Sequence, residues 1–165
     1  MPLCSPWAEV AGEYRRRVEA IEELDFVIET DDFQSVISKL ERYGGRTMLL
    51  RSAKDHAVFA LSSGILLWVH LAGKQNWGVA LIACTGSKAH LRKRTAVTGN
   101  LKTLRLNGRF PTESALYREF GLSFIQPELR EGHDEARSRT YAAHPNFIEG
   151  HPRRASCAFD IERWC

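Results

Sequence analysis

A strand followed at once by a capped helix is the sequence feature that most restricts the fold. Within residues 19–30, the large hydrophobic side chains of Leu24, Phe26 and Ile28 stand at every second position, which is the period of a β-strand. Asp31 and Asp32 then supply an N-cap signal, and apolar residues continue at helical spacing through residues 33–43. Gly44 and Gly45 are expected to end this helix. The chain therefore has to combine strands with helices.

Three apolar runs follow, at residues 47–50, 57–61 and 65–71, and they predict further strands. Residues 62–64, Ser-Ser-Gly, are suited to a hairpin turn between the last two runs. Residues 76–83 are apolar after Asn76, and periodicity alone leaves both strand and helix open for them.

The second half of the chain begins with a basic segment, residues 87–95, whose pattern predicts a helix. Residues 104–110 contain an Asn-Gly pair that favours a hairpin. Thr112 is expected to cap another helix, which ends at Gly121. From about residue 128 the chain becomes polar, and residues 134–165 are predicted to be a tail or linker.

Composition restricts the class of protein. The chain has 165 residues, of which 44% are hydrophobic and 26% charged, as expected for a globular protein with a core. No apolar run approaches the roughly 18 residues needed to cross a membrane, and the N-terminus lacks the pattern of a signal peptide. We therefore expect a cytoplasmic protein with no membrane partner. None of the four cysteines forms a Cys-x-x-Cys pair, so no zinc or redox motif is indicated.

Positive charge is concentrated in one part of the chain, although the net charge is only +3. Residues 85–111 contain no aspartate or glutamate. Such a one-sided positive field attracts phosphates and indicates DNA as a partner, although a simple solvated face would have the same composition. The basic residues of this segment are Lys88, Arg92, Lys93, Arg94, Lys102, Arg105 and Arg109.

Two acidic residues on the first strand are candidate metal ligands. Glu23 and Asp25 are two positions apart, so their carboxylates project from the same face and can converge on a hard cation such as Mg²⁺. Two such ions would activate a hydroxyl and neutralise charge on a transferring nucleotidyl group. The alternative is that both side chains form the exposed face of an edge strand.

Several short motifs in a fixed order carry a resemblance to a known family. Residues 11–25 contain Ala-Gly, two arginines and then Asp25 on a strand, and residues 85–90 read Thr-Gly-Ser-Lys-Ala-His. Residues 116–132 include Gly-Leu and Pro-Glu-Leu-Arg-Glu-Gly. Over roughly residues 8–135 the chain resembles the family X, or polymerase beta-like, DNA polymerases in their bacterial form.

The resemblance implies an α+β fold with three parts. Residues 1–83 would be a nucleotidyltransferase palm, a mixed sheet with helices, and residues 84–133 a small α/β thumb ahead of the tail. It implies a DNA-repair polymerase that uses Mg²⁺ and nucleoside triphosphates if it is active. Glu23 and Asp25 would then be the catalytic metal ligands, or a remnant of them. The implied nucleotide-binding residues are Gly12, Arg16, Gly86 and Ser87, and the DNA-binding residues are Lys88, His90, Arg92, Lys93 and Arg94.

Departures from the family pattern bear on activity. The serine expected to hold the triphosphate is Glu13, and the first metal-binding aspartate is Glu23. Counting back from the Thr-Gly-Ser motif places the third aspartate at Trp68, whose indole can neither bind a metal nor accept a proton. A shifted register with Asp55 as the third acid is the alternative. The thumb asparagine and arginine fall at Leu91 and Thr95.

Three hypotheses follow from the sequence. The first is a palm-and-thumb module that binds DNA, with nucleotidyl transfer impaired or lost. The second is an active minimal nucleotidyltransferase that uses Glu23, Asp25 and one further acid. The third is a protein-interaction domain without nucleic-acid binding.

Overall fold

A computed structural model describes residues 7–43, 47–101, 103–104 and 109–132. The described strands are β1 (Trp7–Val10), β2 (Glu23–Glu29), β3 (Met48–Ser52), β4 (His56–Ala60) and β5 (Leu66–Leu71). The described helices are α1 (Gly12–Arg16), α2 (Phe33–Arg42), α3 (Trp77–Thr85), α4 (Lys88–Thr98) and α5 (Glu113–Glu119). Short 3₁₀ turns lie at Lys74–Asn76 and Pro127–Leu129.

The strands form one mixed sheet in the order β1-β2-β5-β4-β3. Strands β2 and β5 are parallel, and the other neighbours are antiparallel. Between β4 and β5, Gly64 adopts a φ of +85° and donates its amide to the Leu61 carbonyl, which confirms the predicted hairpin turn. The α+β prediction is confirmed at this level, and the arrangement is compatible with a nucleotidyltransferase-like fold.

One face of the sheet packs against α2. The Asp32 side chain accepts a hydrogen bond from the Ser35 amide, which confirms the predicted N-cap and satisfies a free donor of the first turn. Ile37 of α2 is 1% exposed and packs on the strands. The buried members of this cluster are Ile28, Ile37, Ala57, Phe59, Leu67 and Val69.

Helices α1 and α3 cover the other face next to β2. Val27 is completely buried there with Ala80 and Leu81 of α3, so β2 is buried on both faces. The opposite side of α3 packs on α5 through Val79 and Ile82. A helix between two layers is apolar all round, which explains why the periodicity of residues 76–83 was ambiguous.

Some sequence predictions lie outside the described residues. These are the helix end at Gly44 and Gly45, the Asn-Gly turn within residues 104–110 and the polar tail 134–165. The predicted domain boundary between residues 83 and 84 falls inside α3, and the division into palm and thumb stays a prediction. Within the described ranges, no helix has the length and apolar character needed to span a membrane. The cytoplasmic location stays a prediction.

Candidate functional site

Asp25 lies at the centre of the candidate site, on the face of β2 that meets α1. Its Cα pairs with that of Trp68 across the parallel β2–β5 ladder, so both side chains share one face. The Asp25 Oδ1 atom is 3.1 Å from Nε2 of His70, and the two side chains are 14% and 18% exposed. The Asp25 carboxylate is therefore bound to an imidazole within the protein.

The protonation of His70 follows from these contacts. Burial lowers the pKa of His70, but hydrogen bonds to Asp25 and Cys84 outweigh that effect and raise it to about 9. At neutral pH the ring is therefore an imidazolium that neutralises Asp25. Cys84, predicted to be a small core residue, is half-buried and also packs against the apolar cluster beneath α3.

The Trp68 indole fills the surface beside Asp25. It is stacked between two imidazoles, with its ring centroid 6.1 Å from that of His56 and 5.8 Å from that of His70. Asp55, the alternative third acid, lies beyond this stack, where its carboxylate is 2.9 Å from Nδ1 of His56. The position facing Asp25 is therefore occupied by an indole, and Asp55 does not converge on it.

Glu13 and Gly12 shape the other side of Asp25. The Glu13 carboxylate accepts hydrogen bonds from the backbone amides of Glu22 and Glu23, at 2.9 and 3.4 Å. Glu13 therefore links α1 to the beginning of β2 through these two hydrogen bonds. Gly12 has a φ of +62°, and a Cβ there would lie 2.1 Å from Oδ2 of Asp25, so only glycine permits this approach.

The side chains around Asp25 do not form a suitable site for a pair of magnesium ions. Mg²⁺ needs oxygen ligands in near-octahedral geometry. Glu23 is exposed, the Asp25 carboxylate is bound to His70, and the neighbouring strand offers the Trp68 indole. Among the residues that the structure describes, no three His, Cys, Asp or Glu side chains are grouped so that they could hold a metal ion.

The residues predicted to bind a nucleotide at α4 are close together but bonded to the protein itself. Arg16 is 10% exposed at its side chain and donates to the Thr85 carbonyl at 2.7 Å and to Oε1 of Glu131 at 2.7 Å. The Gly86 amide donates to the Ile82 carbonyl. The Ser87 amide donates to the Arg130 carbonyl at 3.0 Å, and its hydroxyl caps α4.

A buried charge network beside this cluster was not predicted from the sequence. Glu113 accepts two hydrogen bonds from Arg15, at 2.8 and 2.9 Å, and one from Arg130 at 2.6 Å. Burial raises the pKa of Glu113, but the two guanidinium groups outweigh it and hold this pKa below its usual range. The partners lie 98 and 17 positions away in sequence, so no local pattern connects them.

The predicted DNA-binding residues of α4 divide into two groups. Lys88, Arg92 and Lys93 are exposed. His90 is completely buried, unlike the three exposed residues, and its role as a DNA contact stays a prediction. The guanidinium of Arg94 lies over the Tyr117 ring, 5.7 Å from its centroid, and points towards α5. The basic surface is therefore smaller than the sequence predicted.

Most of this chain is similar to a part of a bacterial DNA polymerase. DNA polymerase/3'-5' exonuclease PolX of Bacillus subtilis (strain 168) is 28% identical over 158 residues, covering 84% of this chain. The relationship to a family X polymerase is therefore distant. The match spans only 26% of the Bacillus protein, about a quarter of its length. No protein-family model matches the chain.

Proposed function

We propose that this chain is a polymerase X-like module that binds DNA and in which metal-dependent nucleotidyl transfer is impaired or lost. The observation that carries the loss of transfer is the environment of Asp25, which faces Trp68 and is bound by His70. A hydroxyl nucleophile needs a general base and metal-binding oxygens at this place, and an indole supplies neither. Magnesium would be no resident cofactor of such a module.

DNA binding is supported by the distant polymerase relative and by the outer face of α4. Lys88 and Arg92 are one helical turn apart, and Lys93 follows. No acidic residue lies between Thr85 and Pro111 in the sequence, so nothing along this segment cancels its charge. Such a surface neutralises backbone phosphates and binds DNA without reading base sequence.

Replacing both Lys88 and Arg92 with alanine is expected to weaken binding of a labelled DNA duplex at least roughly tenfold at 50 mM salt. Two lost phosphate contacts should also flatten the slope of log affinity against log salt by about 2. Fluorescence anisotropy measured from 50 to 200 mM salt tests both effects.

The matched control is the double variant Lys39→Ala and Arg42→Ala. These two residues are exposed on the last turn of α2 and carry the same charge, and Arg42, like Arg92, donates to the carbonyl four positions earlier. This control variant should keep the wild-type slope of log affinity against log salt. Equal losses in the two double variants would contradict a specific DNA surface on α4.

Primer extension by the purified protein is expected to stay at the background rate in the presence of Mg²⁺. Loss of a general base alone costs about 10²–10⁴ in rate, and here the third metal ligand is missing as well. A gel assay with a primed template and all four deoxynucleotides measures this. Magnesium-dependent extension that Asp25→Ala abolishes would overturn the proposal and favour an active nucleotidyltransferase.

A further inference from the structure

Residues 127–132, which we call the strap, cross from the Pro127–Leu129 turn to the beginning of α4. Three hydrogen bonds fix its end. Arg16 Nε donates to Glu131, the Ser87 amide donates to the Arg130 carbonyl, and Lys93 Nζ donates to the Gly132 carbonyl at 2.5 Å. The strap therefore covers the same groups that would meet an anion at this place.

The Glu131 carboxylate is the anionic partner of Arg16 in this structure. Arg16 is nearly buried, and its Nε is 2.7 Å from Oε1 of Glu131. A carboxylate at this distance makes the charge-assisted hydrogen bond that a phosphate oxygen would make. The N-terminal end of α4 adds a positive dipole on the same side. The chain thus satisfies its own anion site with one of its own acids.

Exposure differs along the strap, from the buried Arg130 to the half-exposed Glu131. Arg130 is completely buried and holds Glu113 and the Ile125 carbonyl, so it is a fixed anchor. The Glu131 side chain is 40% exposed, and an ion pair with one solvated member contributes little net stability. Release of Glu131 from Arg16 therefore does not require the core to open.

Gly132 sets how closely the strap approaches α4. Its φ is +83°, and a Cβ there would lie 2.4 Å from the Ala89 Cβ and 3.0 Å from the His90 amide nitrogen. No larger residue fits without moving the strap, because the atoms it would meet include helix backbone.

We propose that the strap is an autoinhibitory element, in which Glu131 occupies Arg16 and keeps phosphate-bearing ligands away from it. This inference rests on the proposed polymerase X-like function only in that the resemblance implies Arg16 as a nucleotide-binding residue. In this state the charge of Arg16 is paired within the chain, so Arg16 is not open to a triphosphate.

The test is binding of inorganic pyrophosphate, measured by isothermal titration calorimetry. Glu131→Gln should bind pyrophosphate roughly tenfold more tightly than wild type, because Arg16 loses its internal anion. Adding Arg16→Gln should remove that gain. The control is Glu128→Gln, which removes the same charge from the same segment but from an exposed pair with Arg17 at 3.3 Å.

A second pair of variants opens the strap without changing charge. Gly132→Ala should raise pyrophosphate affinity in the same direction as Glu131→Gln. Gly64→Ala has nearly the same φ, +85°, and no atom within 4 Å of the added Cβ, so it should leave the affinity unchanged. Circular dichroism verifies that each variant is folded.

The inference is overturned if Glu131→Gln binds pyrophosphate no better than wild type, or if Glu128→Gln gains as much. The DNA measurements above use Lys88 and Arg92, which make no hydrogen bond to the strap, so the two proposals fail separately. If Lys88→Ala with Arg92→Ala leaves DNA binding unchanged but Glu131→Gln still raises pyrophosphate affinity, only the DNA-binding proposal is contradicted. If DNA binding is weakened but Glu131→Gln has no effect, only the autoinhibition proposal is contradicted.

Discussion

Replacing Glu113 with glutamine is expected to lower the free energy of unfolding by about 3–5 kcal/mol. Glu113 is 7% exposed and is the anionic partner shared by Arg15 and Arg130. A neutral amide would take the anionic partner from Arg130, which is completely buried, while Arg15 would keep only its ion pair with Glu9 at 3.2 Å. A buried charge without its partner is the costly state, because it has lost water without compensation.

Urea denaturation followed by circular dichroism measures this change as a shift of the midpoint. Glu119→Gln is the matched control, since Glu119 is exposed at the other end of the same helix. It should change stability by less than about 0.5 kcal/mol. A loss below about 1 kcal/mol for Glu113→Gln would show that the network does not hold α1, α5 and the strap together.

Wild-type stability is expected to fall by roughly 3 kcal/mol between pH 6 and pH 10 because of His70. The pKa of His70 is raised from 6.5 to about 9 in the folded protein. Since the folded pKa lies above the unfolded value, the contribution is fully present below pH 6.5. It is lost as the pH rises through about 9, where the imidazolium loses its proton and Asp25 loses its partner.

The variant that isolates this effect is His70→Gln, in which the pH dependence over this range should largely disappear. Asp25, Cys84 and the Trp68 ring face His70, so the measurement should be repeated with Cys84→Ala to separate thiol titration. His56→Gln is the control, since His56 lies on the other side of Trp68 and pairs with exposed Asp55. It should keep the wild-type profile. A wild-type profile that is flat up to pH 10 would contradict the His70–Asp25 pair.

Local features of the fold were predictable from the sequence. The Asp32 and Thr112 caps each accept a hydrogen bond from an amide three residues later, as the residue types and spacing indicate. The turn at residues 62–64 and the helix that begins after Ser87 are similarly local. These depend on residue types within a few positions of one another, which is why pattern reading recovers them.

The candidate site was predictable only in part. The spacing of the motifs put Trp68 at the third acid position, and in the structure Trp68 lies directly opposite Asp25. His70 was missed as the partner of Asp25, although it lies two residues beyond Trp68 on the same face of β5. That alternation is a signal that could have found it. The functional roles of Glu23, Asp25 and the nucleotide- and DNA-binding residues stay predictions.

By itself, the sequence determined the strand–helix unit, the caps and the basic character of α4, because these depend on neighbours along the chain. The tertiary structure decided which of the charged and polar side chains are exposed and which are bound or buried within the protein. Arg16 is bound by Glu131, Arg94 turns to Tyr117, and His90 is buried, although all three are polar residues in basic surroundings. The partners of Arg16 and Arg94 come from distant segments that only packing brings together. An ionisable group's chemistry depends on those partners and on burial, which local sequence does not contain.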